Sequence, residues 1–190
     1  MPRISAREFE QLPLRVHDLL AGVPLHDAWA VELPRTRSGI TLDEYSRAAK
    51  TRLFTPSPAV RALLDLCFFV GRHLDWDREP PAWESFASRL TAADRSRTLA
   101  PAGTREGFFS VVYRFENEQL LEIVNRTVHA AALSALVEKA HAYRFYFAVY
   151  VRRVSPFTPL YMALIDPFRR WIVYPSLLRS VRATWNRALG

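Results

Sequence analysis

The chain has 190 residues, 49% hydrophobic and 13% aromatic, which is enough for one well-packed core and short of two ordinary domains. A net charge of +7 would suit a nucleic acid or an anionic membrane, but the 26 basic residues, all arginine except Lys50 and Lys139, are scattered from Arg3 to Arg187 in runs no longer than two. Such scatter, without a recognition motif, points to a solvated surface and away from nucleic acid as a partner. No apolar run approaches the roughly 20 residues of a membrane span. No secretory leader pattern precedes Arg3 to Leu20, and the lone Cys67 can form no internal disulfide, so a cytoplasmic location is expected.

Apolar residues Phe9, Leu12, Val16, Leu19 and Leu20 recur at helical spacing, with Pro13 splitting or starting the helix. His26 to Leu33 alternates, with Trp29, Val31 and Leu33 on one face, and predicts a first strand ended by Pro34. Thr41 with Glu44 is a capping-box pattern for a short helix to about Thr51, and Ser57-Pro58 opens another to about Leu74. Residues 78–105 turn polar and proline-bearing around a short helix at Trp83 to Leu90, and read as a surface excursion of one domain spanning 1–190.

The sheet signal comes next. Phe109, Val111, Tyr113 and Phe115 alternate with Ser110, Val112 and Arg114, and Glu116-Asn117-Glu118 turns the chain into Gln119 to Asn125 as a hairpin. Thr127 to Val137 is ambiguous, because its alanines favour a helix while its position between strong strands favours a meander; it is read as a strand. Tyr143 to Val151 is a long strand with one wholly apolar face. Leu160, Leu164, Phe168, Trp171, Tyr174, Leu178, Val181 and Trp185 then recur at spacings of three and four, one stripe of a long helix. Pro167 and Pro175 should kink it, and Asp166-Pro167 would suit a break and restart.

Three stretches carry a resemblance: Glu122-Ile-Val-Asn-Arg-Thr-Val-His129, Tyr143-Arg-Phe-Tyr-Phe-Ala-Val-Tyr-Val151, and Tyr161-Met-Ala-Leu-Ile-Asp-Pro-Phe-Arg-Arg170 with Val173-Tyr-Pro175. With them nearly the whole chain resembles the bacterial family known as domain of unknown function 2867. That family also occurs fused behind nucleotide-sugar-epimerase-like domains and looks related to the START-like, or helix-grip, superfamily. The resemblance implies an α+β fold in which an antiparallel sheet wraps around a long, kinked C-terminal helix, with extra helices after the first strand. It also implies a cavity for apolar ligands between sheet and helix. It brings no catalytic residue and no cofactor, and the iron-ligand pattern of START-like oxygenases is absent.

On that fold the expected partner is a small apolar or amphipathic molecule, with Trp29, Tyr113, Asn125, Phe147 and Tyr161 as binding residues. His129 is the candidate for proton transfer if the cavity belongs to a cyclase or lyase, because a histidine titrates near neutral pH. Glu122, Asn125 and Tyr113 would be its polar company, although strand alternation can place Glu122 on the opposite face from Tyr113. A histidine hydrogen-bonded within the fold is the blander account of the same residue. His73, Asp75 and Asp77 could bind a metal but fit a polar exit turn better, so no metal is expected, and Cys67 fits a core position. A third possibility is a peripheral membrane or interaction module, for which the terminal helix should expose aromatics around Arg169, Arg170, Trp171 and Tyr174.

Overall fold

The computed structural model describes residues 3–48, 83–125, 128–156 and 158–189. The helix expected from Ser57, Cys67 and the His73, Asp75, Asp77 group lie outside the described residues, as do the side chains of Leu160 and Tyr161.

Pro13 separates two short helices, α1 (Ala6–Glu10) and α2 (Val16–Leu19), which precede β1 (Leu25–Pro34) and α3 (Leu42–Ala48). Thr41 Oγ1 accepts the Glu44 N–H at 3.0 Å, as the capping pattern requires, while the Glu44 carboxylate turns instead to Arg37. A 3₁₀ turn (Phe86–Arg89) and α4 (Ala92–Arg97) come after the undescribed segment. The chain then runs through β2 (Arg105–Glu106), β3 (Phe109–Arg114), β4 (Glu118–Val124), β5 (His129–Glu138) and β6 (Ala142–Arg152). The strands form one antiparallel sheet in the order β1-β6-β5-β4-β3-β2, so the alanine-rich segment is a central strand. The C-terminal helix comprises α5 (Thr158–Phe168), a π-helical turn (Arg169–Val173) and α6 (Tyr174–Ala188). This is an α+β fold of the helix-grip kind, and among the described residues no helix is long and apolar enough to cross a membrane.

Both faces of the sheet are buried, and they differ in character. One face presents Trp29, Val31, Leu33, Phe145, Phe147 and Val149 to Tyr174, Leu178, Val181 and Trp185 of the C-terminal helix. The other presents Ala28, Ala30, Ala131, Ala135 and Ala148, small residues over which Phe9, Val16, Leu20 and Phe86 pack closely. The described part of the 78–105 stretch is therefore seated on the fold: Phe86, Leu90, Asp94 and Ala100 are buried. α4 itself begins with a complete capping box, Thr91 with Asp94, which the polar composition of this stretch hides.

Two departures from regular geometry change which residues face where. In β3 the register slips between Val111 and Tyr113, a bulge that sends both Val112 and Tyr113 into the α1–α2 side while Val111 packs with Leu121 and Ala100 on the other. Strict alternation therefore fails at that point. In the C-terminal helix the break expected at Asp166-Pro167 does not occur; the helix runs on through Pro167 and loosens later. Pro175 has no N–H for the Trp171 carbonyl and its ring would collide with it, and just before it the Tyr174 N–H bonds to Arg169 O, five residues back.

That one extra residue per turn rotates the downstream part of the helix by about 100° relative to an uninterrupted helix. The single apolar stripe is thereby split. Tyr174, Leu178, Val181 and Trp185 enter the core, whereas Leu164 (61% exposed), Phe168 (45%) and Trp171 (79%) face outward. In α5 the inward positions are Thr158, Met162 and, part-buried, Ile165 and Asp166.

Candidate functional site

A row of side chains crosses three strands beneath the C-terminal helix. Trp29 of β1 pairs with Phe147 of β6, and Phe147 pairs with Ser134 of β5, so all three project from the same face at one level. Tyr174 lies over them, its ring 5.5 Å from that of Trp29 and 5.4 Å from that of Phe147. Burial pushes the Tyr174 phenol well above its ordinary range, and its oxygen accepts from Arg169. Among the described residues neither Trp29 Nε1 nor Ser134 Oγ has a hydrogen-bond partner, although the residues are 8% and 1% exposed. Two buried, unpaired polar groups in one apolar row are uncommon, because each forgoes the hydrogen bond it would make in water.

One end of this row is closed by a charged clasp between β1 and the helix. The irregular register between Leu25 and Asp27 brings consecutive residues to the same side, where His26 Nε2 meets Asp166 Oδ1 at 2.8 Å and Asp27 Oδ2 at 3.6 Å. Ligand atoms of His26, Asp27 and Asp166 lie within 4.8 Å of one another, the spacing of a metal site. The guanidiniums present argue against a cation. Arg3 Nε is 3.1 Å from Asp27, Arg169 Nη1 is 3.2 Å from Asp166, and Arg170 approaches Asp166 at 3.5 Å and Asp27 at 3.8 Å. Three arginines thus neutralise two carboxylates. Asp27, whose oxygens make no aligned hydrogen bond, is held by charge proximity alone.

His129 and Tyr113 are on the opposite face, across the sheet from Trp29 and Phe147. His129 Nε2 hydrogen-bonds to Glu122 Oε2 at 2.9 Å, and its ring stacks on Phe86 at 3.9 Å with Trp83 edge-on at 5.7 Å. Glu122 also accepts the Phe86 N–H at 3.0 Å and the Ser85 hydroxyl. The order is serine, carboxylate, histidine, so the hydroxyl has no imidazole beside it to take its proton and cannot serve as the nucleophile of a triad. Glu122 shares its face with Tyr113, because the β3 bulge and the Tyr113–Leu120 pairing put Tyr113 with Leu120 and Glu122.

Tyr113 has a different partner, Glu118, to which its hydroxyl donates. The Glu118 carboxylate receives the N–H groups of Arg15 and Val16, each at 2.9 Å, and so caps the start of α2. Burial raises the pKa of Glu118 while these donors pull it back, and burial next to that carboxylate drives the Tyr113 phenol well above 10.0. Asn125 closes the β4–β5 turn: its Oδ1 accepts the Val128 N–H at 2.9 Å.

The five described candidates thus divide into Trp29 and Phe147 under the helix, His129 and Tyr113 across the sheet, and Asn125 at a turn. Tyr174 was legible as part of the apolar stripe and of the cluster with Arg169, Arg170 and Trp171, but not as the ring that covers Trp29 and Phe147. Ser134, a lone hydroxyl in an otherwise apolar strand, carried a sequence signal that periodicity ignores.

No curated protein matches the chain, and no solved structure does. Residues 19–176 match the family model described as protein of unknown function (DUF2867), and the chain belongs to that family.

Proposed function

We propose that this is a START-like domain of bacterial type, working in the cytoplasm, that holds a small apolar or amphipathic molecule between the sheet and its C-terminal helix. The carrying observation is the row Trp29, Phe147 and Ser134 under Tyr174, with an indole N–H and a hydroxyl buried and unpaired. A ligand with an apolar body and one or two polar atoms satisfies such a row, since apolar walls with a few convergent polar groups are what small-molecule sites share. Tyr161, expected from the sequence as a binding residue, belongs to the same proposal. The alternative, a cyclase or lyase using His129 in the same space, is less well supported, because His129 is separated from the row by the sheet and spends its Nε2 on Glu122.

Native mass spectrometry of the purified protein tests the reading directly, with displacement of N-phenylnaphthylamine as a second readout. A co-purifying molecule of defined mass, or dye binding weakened about fivefold by Trp29→Phe at unchanged stability, is expected. Dye and native ligand both absent from the wild-type protein would sink the proposal.

A further inference from the structure

The outward half of the C-terminal helix has a composition unlike the rest of the surface. Leu164, Phe168, Trp171 and Ile172 are 61%, 45%, 79% and 40% exposed, and they lie together on the side of the helix turned from the sheet. Isolated exposed apolar residues are ordinary, but four large ones on one helical face form a patch that water solvates poorly. The π turn creates this patch. By shifting the register it dedicates the earlier part of the stripe to solvent and the later part to the core.

Charge is distributed to match. Residues 152–190 contain seven arginines and one acidic residue, Asp166, so they carry +6 of the chain's +7 and the preceding residues are close to neutral. Asp166 is turned inward to His26 and Arg169. Arg153, just after β6, and Arg179, Arg182 and Arg187 along α6 are exposed, before and after the apolar patch in the chain, whereas Arg152, paired with His129, belongs to the opposite face of the sheet. Counting arginines along the sequence makes them look scattered; net charge concentrates at one end.

We infer that this helix face docks on an anionic lipid surface, with Trp171, Phe168, Leu164 and Ile172 entering the headgroup boundary and the surrounding arginines meeting lipid phosphates. Tryptophan favours that depth, and basic residues near an anionic bilayer add attraction that salt screens. A nucleic acid would use the arginines but leave the aliphatic side chains in water, so it fits less well. The docking face is independent of the proposed ligand row, which is turned the other way.

The full-length chain, mixed with phosphatidylcholine vesicles with and without phosphatidylglycerol, should sediment with the anionic vesicles and bind neutral ones at least about tenfold more weakly. Brominated acyl chains should quench its tryptophan emission. Trp171→Glu combined with Phe168→Glu should abolish both signals with the thermal midpoint preserved, and Arg179→Glu with Arg182→Glu should weaken binding. Wild-type protein that ignores anionic vesicles at low salt, or shows no quenching by brominated lipid, overturns the inference. So does a folded Trp171→Glu, Phe168→Glu protein that binds as well as wild type, a patch that proves to be a dimer contact in sedimentation velocity, or a preference for duplex DNA over vesicles.

Discussion

At the scale of single residues, buried carboxylates do much of the joining. Asp94 is the clearest: its two oxygens receive Arg15 Nε at 3.0 Å and Nη2 at 2.9 Å, and its capping contacts to Thr91 complete the shell. The hydrogen bonds from Arg15 hold its carboxyl far below the ordinary 3.8. Because the folded-state pKa is depressed, the stabilisation is complete above the unfolded value and is lost progressively as pH falls from there through the lower folded-state value. Asp94→Asn should cost about 2 kcal/mol at neutral pH, with the gap to wild type closing below about pH 4 in urea titrations. His129 gives a second residue-scale test. His129→Ala should lower the unfolding free energy by about 3 kcal/mol, by opening a cavity against Phe86 and leaving Glu122 without one donor, and should leave dye binding under the helix unchanged.

At the scale of elements, the split of the terminal stripe decides the energetics. Leu164 and Leu178 occupy the same line in an uninterrupted helix, yet only Leu178 is fully buried. Leu178→Ala should therefore cost about 3 kcal/mol and Leu164→Ala less than about 0.5 kcal/mol, measured by thermal or denaturant unfolding. The periodicity of the sequence correctly announced a helix. Its phase was not readable, because phase depends on how the chain accommodates Pro175, and a widened turn and a sharp kink satisfy the same missing hydrogen bond. The β3 strand repeats the lesson: Phe109 to Phe115 alternates convincingly, and one bulged residue transfers Val112 to the face of Tyr113.

At the scale of the whole molecule, Trp185 closes the fold. Its Nε1 donates to Pro34 O at 3.0 Å, and its ring packs against Tyr45 at 5.4 Å and Tyr143 at 5.3 Å, joining the last helix to β1, α3 and β6. Tyr45 in turn donates to Val181 O at 3.0 Å, and burial pushes its phenol up to about 12. Trp185→Ala should cost about 4 kcal/mol. Removing residues beyond Val173 should expose Trp29, Phe147 and Val149 and leave a chain that aggregates, seen as loss of the monomer peak in size exclusion.

The sequence by itself announced β1, β3, β4 and β6, the proline-split N-terminal helices and the covering terminal helix, since these derive from local periodicity, turn residues and proline; β5 was read as a strand only from its position between strong strands, and the two-residue β2 carried no signal. Only the tertiary structure decided that His129 and Tyr113 lie across the sheet from Trp29 and Phe147, that Glu122 and not Tyr113 or Asn125 meets His129, and that Leu164, Phe168 and Trp171 of the apolar stripe face outward. The physical reason is that alternation tells which residues share a face, whereas bulges, a π turn and the choice of which face each helix covers depend on contacts between segments far apart in the chain. The spread of arginines was plain in the sequence; their concentration of net charge beside exposed aromatics became meaningful only once Asp166 was seen to point inward.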